Sequence, residues 1–137
     1  LNAHIQIGLN LVQIGKGGEA IQRLDAVQKA HPGNVDMISA LSNVQRSRKK
    51  FAEAAETYSR AIKLIGPEQE GGYWTLFYFR GTAYERAGEW QKVEADLKKA
   101  LGLVPPTQPN AKAHVLNYLA SFCVDRHMHI DQRFPMV

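Results

Sequence analysis

The chain has a single cysteine, Cys123, among its 137 residues. One thiol excludes an intrachain disulfide and any metal cage built from cysteines. No apolar run approaches the ~18 residues that a membrane-spanning helix requires, so membrane insertion is not expected. The N-terminus, LNAHIQIGLNLVQIG, lacks the basic start and small-residue cleavage site of a signal peptide. It also lacks an initiator Met, and reads as a processed product or an excised fragment whose compartment, cytoplasmic or exported, is not written in it. Strong charge is missing too: a net +4 permits an acidic partner without requiring nucleic acid. Ser-centred elbows, Gly-rich phosphate loops and the H-E-x-x-H zinc signature are absent, so no enzyme class is visible and no cofactor is expected.

What is present is a repeat. Gly8 to Pro32, Ser42 to Pro67 and Gly81 to Pro105 share one grammar. Each runs from a small residue along a helical face to a turn, then along a second face that closes on proline. Ala54 follows Ala20 by 34 positions, and Tyr58 follows Leu24 by the same interval. Val93 and Leu97 follow Ala54 and Tyr58 by 39, which is the same period with five residues added. The addition falls in PEQEGGY (Pro67 to Tyr73), where proline and paired glycines mark a loop. Small residues at Gly8, Gly81, Ala20 and Ala54 let paired helices approach closely. Leu24, Tyr58 and Leu97 fill the space toward the next pair. One such hairpin cannot bury its apolar face alone, so the units must stack.

In this period and grammar the sequence resembles the tetratricopeptide repeat (TPR) family, whose unit is about 34 residues of helix, turn and helix. The small residue of the first helix matches Gly8, Ser42, Gly81 and Ala120. The aromatic that follows is kept only at Tyr84, with Leu11, Gln45 and Cys123 elsewhere. The turn glycine matches Gly15 and Gly88, and is replaced by Lys49 and His127. The resemblance implies an all-α, right-handed superhelical stack of antiparallel hairpins with about three full repeats and an incomplete fourth. The units are residues 1–34, 35–68, 74–107 and 110–137, with 69–73 as an insertion loop. The fourth unit resembles a variant found in multi-repeat bacterial proteins, with VLNYL followed by V-D and a longer turn. Its apolar stripe is expected at Leu116, Leu119, Ala120 and Cys123, and Pro135 is expected to break its second helix, leaving the first as a cap. At the other end, Ile5, Leu9 and Val12 belong to a helix apolar on more than one face. That helix is either stacked under a preceding repeat or a surface for self-association.

The resemblance further implies that first helices line a concave groove that holds a peptide or protein segment. With helical spacing, it directs Ser39, Asn43 and Arg46, then Tyr78, Thr82 and Glu85, and then Asn117 and Ser121 into that groove. Asn43 and Asn117 would bond a peptide backbone, Arg46 would pair an acidic group, and Tyr78 would offer a flat apolar contact. Members that bind chaperone C-terminal tails clamp the terminal carboxylate with Lys, Asn and Arg. Here Ile5, Leu9, Phe79 and Tyr118 stand at such places, so that partner is not expected.

Other constellations yield to plainer readings. The run Arg46, Arg48, Lys49, Lys50 ends a helix, where the macrodipole favours cations, and is too small for nucleic-acid binding. His127 and His129 form a His-x-His pair in an expected turn, and no metal is assigned to them. Cys123 and His127 stand four apart, but Cys123 is expected in a packing slot where a thiol is inert. The sequence therefore points to a protein-interaction module, an adaptor or assembly scaffold. The alternative is a structural segment of a longer TPR protein whose catalytic or anchoring function lies elsewhere.

Overall fold

A computed structural model describes residues 15–31 and 33–133 of the chain, with side chains described through Arg126. Among these residues there are six α-helices and no strand: α1 (Gly17–Ala30), α2 (Val35–Ser47), α3 (Phe51–Leu64), α4 (Trp74–Ala87), α5 (Trp90–Leu103) and α6 (Pro109–Arg133). Ile5, Leu9 and Val12, with the helix expected around them, lie outside the described residues, as do Pro32 and Pro135.

Local chemistry sets the helix ends. Asn34 caps α2, its Oδ1 accepting the Met37 N–H at 2.9 Å. Asp36 in the first turn and Arg46 in the last complement the α2 dipole. Gly88 ends α4 in the left-handed conformation, φ 83°, which glycine adopts without a Cβ penalty. Gly15 has the same φ before α1. At the equivalent turn after α2, a lysine takes that conformation: Lys49 has φ 63°.

The repeat grammar reappears as packing. Ala20, Leu24, Ala54, Tyr58, Val93 and Leu97 are all 0% exposed, so the paired small and large residues of each second helix are fully buried. Each buried side chain the size of Leu or Val contributes about 1.5–3 kcal/mol. Gly81 is a close-approach position: a Cβ there would meet Asp96 Cβ at 3.2 Å and Leu97 Cδ2 at 3.3 Å. Buried side chains form three clusters in series, joining α1 to α2, α2 and α3 to α4, and α4 and α5 to α6. Every helix packs chiefly on its neighbours in sequence, as in a solenoid.

The structure departs from the expectations at two places. Pro67–Tyr73, expected as a loop, winds into a 3-10 helix. Pro67 supplies a fixed φ at its first position, Gln69 Oε1 accepts the Gly66 N–H, and Lys99 of α5 pairs with Glu70 at 2.9 Å. The second departure is α6, which runs 25 residues to Arg133 without the turn expected near His127. Its buried stripe is Val115, Leu119 and Phe122, at i, i+4 and i+7. Leu116 is 50% exposed, Ala120 is exposed, and Cys123 is exposed rather than a core residue. The reason is rotational register. Phe122 stacks on the Trp90 ring at 6.2 Å, and this larger burial turns the neighbouring Cys123 outward.

Candidate binding cleft

α2, α4 and α6 are the first helices of their units, and their side chains meet on one side of the stack. Tyr78 of α4 is the hub. Its ring lies 5.3 Å from Phe79, 5.7 Å from Tyr118 and 5.6 Å from His114, and its hydroxyl is 2.8 Å from His114 Nε2 in hydrogen-bond contact. Tyr118 of α6 donates its hydroxyl to Glu85 Oε1 of α4 at 2.8 Å. Burial, the bond to Glu85 and that carboxylate's charge all hold the Tyr118 phenol well above its ordinary range.

On α2, Arg46 is held at two places. Its guanidinium lies 4.0 Å above the Phe79 ring, and its Nε donates to the Tyr58 hydroxyl at 3.2 Å. Tyr58 in turn donates to Asn43 Oδ1 at 2.5 Å. Burial raises the Tyr58 pKa above 10.0, and the neighbouring Arg46 cation offsets part of that rise.

Between these elements lies an open cleft of about 450 Å³, lined by Arg46, Ser47, Lys49, Phe51, Tyr78, Phe79, Thr82, Arg86 and Tyr118. The lining holds three cations, four aromatic rings (two of them phenols) and two aliphatic hydroxyls, and no carboxylate. Such a surface suits a partner that brings both apolar groups and negative charge.

Of the residues expected in the groove, Arg46, Tyr78 and Thr82 line this cleft. Tyr78 is only 8% exposed, so it is a wall of the cleft and a member of the core rather than a free contact surface. Thr82 is half-buried, its Oγ1 donating to the Phe79 carbonyl. Asn43 and Glu85 stand beside the cleft rather than in its lining, and Ser39 is not part of the lining either. The Asn43 oxygen is committed to Tyr58 and the Glu85 carboxylate to Tyr118. The Ser39 hydroxyl is buried, with no partner among the described residues. Asn117 and Ser121 are exposed on α6 and do not join the lining, where α6 presents Tyr118 instead. Sequence reasoning missed Phe51, Lys49 and Arg86. The signal for Lys49 was present, since it replaces a turn glycine. For Arg86 it was present too, since it follows Tyr78 and Thr82 at helical spacing on the same helix, but Glu85 was expected at that turn instead.

No protein-family model matches the sequence, and no curated protein matches it. Solved structures do. SycD, the type III secretion translocator chaperone of Yersinia enterocolitica, superposes with a TM-score of 0.79 at 16% identity, over 93% of this chain and 86% of that one. The same protein with a peptide of the translocator YopD gives 0.77 at 16% identity, over 91% and 93%. The second TPR domain of human RPAP3, with the HSP70 peptide SGPTIEEVD, gives 0.71 at 22% identity, over 87% and 91%. The described helices and these likenesses agree: the chain has the TPR-type fold of stacked helical hairpins.

Proposed function

We propose that this chain is a protein-interaction module, an adaptor or assembly scaffold, that holds a segment of another protein on the concave side formed by α2, α4 and α6. The observation that carries this reading is the cleft itself. Aromatic walls and hydrogen-bonding groups from three successive units converge on one opening, which is what an extended or helical segment requires. The likenesses support it by analogy: SycD is seen with a YopD peptide, and an RPAP3 domain with an HSP70 peptide, on the same fold. The segment is not a chaperone C-terminal tail in this reading. Phe79 and Tyr118 stand where a carboxylate clamp needs polar groups, and both are engaged in aromatic contacts. Nucleic acid is not the partner in this reading either, because the basic run Arg46, Arg48, Lys49, Lys50 is short and confined to one turn. No catalytic step and no metal are assigned to the chain.

A second reading treats the chain as a structural segment of a longer repeat array. It draws on α6, whose Leu116 and Val124 are 50% and 58% exposed and would suit the face of a further helix.

Site-specific photo-cross-linking separates groove binding from binding elsewhere. A photoreactive amino acid replaces Thr82 in the cleft or Glu56, exposed on the outer helix α3. Cross-linking in source-cell lysate from position 82 and not from position 56 supports the proposal. Equal cross-linking from both, or only from 56, removes it. Asn43→Ala/Tyr78→Ala is the poorer probe, because both side chains hold the fold together.

A further inference from the structure

We infer that the cleft is selective for an internal acidic side chain: a Glu or Asp of the bound segment enters between Arg46, Lys49 and Arg86, and its apolar neighbour packs on Phe79 and Tyr118. This deepens the groove reading above and rests on it.

The argument starts from two arginines in one fold. Arg80 of α4 is part-buried, and its fork is closed on a protein carboxylate, with Nε and Nη2 donating to the two oxygens of Asp96 at 2.7 and 2.6 Å. Its Nη1 donates to Ser59 Oγ at 3.2 Å. Arg80 is fully employed within the chain. Arg46 is also half-buried and held in place, by the Phe79 ring beneath it and by Tyr58 on its Nε. Among the described residues, however, no Asp or Glu lies within 4.0 Å of it, and its two Nη groups bond no acceptor. Residues 1–14 contain no Asp or Glu, so that segment has no carboxylate to bring. A guanidinium stacked on a ring and fixed at Nε has its orientation settled, and among the described residues its Nη edge is uncommitted. That edge matches the two oxygens of a carboxylate, and partial burial strengthens the pairing.

The turn beside it carries a second observation. Lys49 has φ 63°, a conformation that costs a non-glycine residue free energy, while Gly15 and Gly88 hold the corresponding turns. The strained position is the one that lines the cleft, and strain retained beside a binding surface is characteristic of functional positions. Arg86 completes the set from α4, its guanidinium 6.0 Å from the Phe51 ring. Neither Lys49 nor Arg86 has a carboxylate within 4.0 Å among the described residues. Glu85, whose carboxylate is bound by Tyr118 at the margin, bears on the charge of the ligand. It repels a phosphate dianion more than a single carboxylate charge, which favours Glu or Asp over a phosphorylated residue.

The test uses a display library of random twelve-residue peptides panned on the full chain, with selected peptides resynthesised with blocked termini. The expected winners carry Glu or Asp beside Phe, Tyr or Leu. Replacing that acid by Gln or Asn in the peptide is expected to weaken binding about tenfold, and raising salt is expected to weaken the acidic peptide alone. Arg46→Gln and Arg86→Gln are expected to lose about tenfold each toward the acidic peptide and little toward its amide version. Arg86 is exposed, so its variant keeps the test valid even if Arg46→Gln folds poorly. Winners without acids, or undiminished binding to both variants, overturn the inference and leave the groove reading intact. Tighter binding by a phosphoserine version overturns the choice of carboxylate. Winners that ignore Thr82→Tyr, which fills the cleft, overturn the groove reading itself.

Discussion

Arg80 and Asp96 join α4 to α5 through a two-pronged ion pair whose side chains are only 19% and 7% exposed. The third arm of Arg80, on Ser59, extends the connection to α3, so one guanidinium ties together three successive helices. Burial makes the desolvation cost high, and only complete pairing balances it. Asp96→Ala therefore leaves a part-buried cation without its partner, and we expect a loss of about 3 kcal/mol in urea unfolding. Ser59→Ala removes one neutral bond and is expected to cost about 1 kcal/mol. Equal small losses for both would show that the pair is not structural.

The register of α6 makes a sharper distinction between adjacent residues. Phe122 is 4% exposed and stacked on Trp90, whereas Cys123 faces solvent. Phe122→Ala is expected to destabilise the C-terminal cluster by about 3 kcal/mol, while Cys123→Ser changes stability by less than about 0.5. A water-soluble thiol reagent is expected to label Cys123 in the folded protein at nearly the rate of the unfolded one. Labelling only after unfolding would restore the buried-cysteine reading of the sequence.

That register illustrates what the sequence carries and what it does not. Period and small-large alternation located Ala20, Leu24, Ala54, Tyr58, Val93 and Leu97, because these residues pack within or against the adjacent hairpin and obey a local rule. In α6 the local rule was ambiguous. Two stripes are apolar there, one through Leu116 and Cys123 and one through Val115 and Phe122, and only contact with Trp90 chooses between them. The cleft was legible in the same partial way. Arg46 and Thr82 follow from helical spacing, but the pairing of Asn43 with Tyr58 and the arrival of Arg86 beside Lys49 depend on how hairpins pack.

Lys49 sets stability against binding. Relief of its left-handed strain, about 1–2 kcal/mol, exceeds the added unfolded-state freedom of glycine. We expect Lys49→Gly to be more stable by about 0.5–1 kcal/mol in urea unfolding. The same variant is expected to bind an acidic cleft peptide several-fold more weakly, as an attracting charge is gone. A variant that gains stability with no loss of binding would assign the lysine no part in recognition.

Tyr118 gives the chain a defined alkaline weakness. In the folded protein its phenol is held well above its ordinary range, by burial first and by its bond to Glu85 second. The unfolded chain ionises that group near pH 10, while the folded chain retains the proton. Stability from this group is therefore fully present below pH 10 and falls as pH rises toward the folded pKa. Tyr58, Tyr73 and Tyr78 shift in the same direction and add to the slope. Urea unfolding between pH 8 and 12 is expected to show a plateau followed by a steady decline. Tyr118→Phe removes one titrating group and its bond, so it lowers the plateau by about 1 kcal/mol and makes the decline shallower. If Tyr118→Phe declines as steeply as wild type, the Glu85 bond does not hold the phenolic proton, and the contact between α4 and α6 at the margin of the cleft is apolar packing alone.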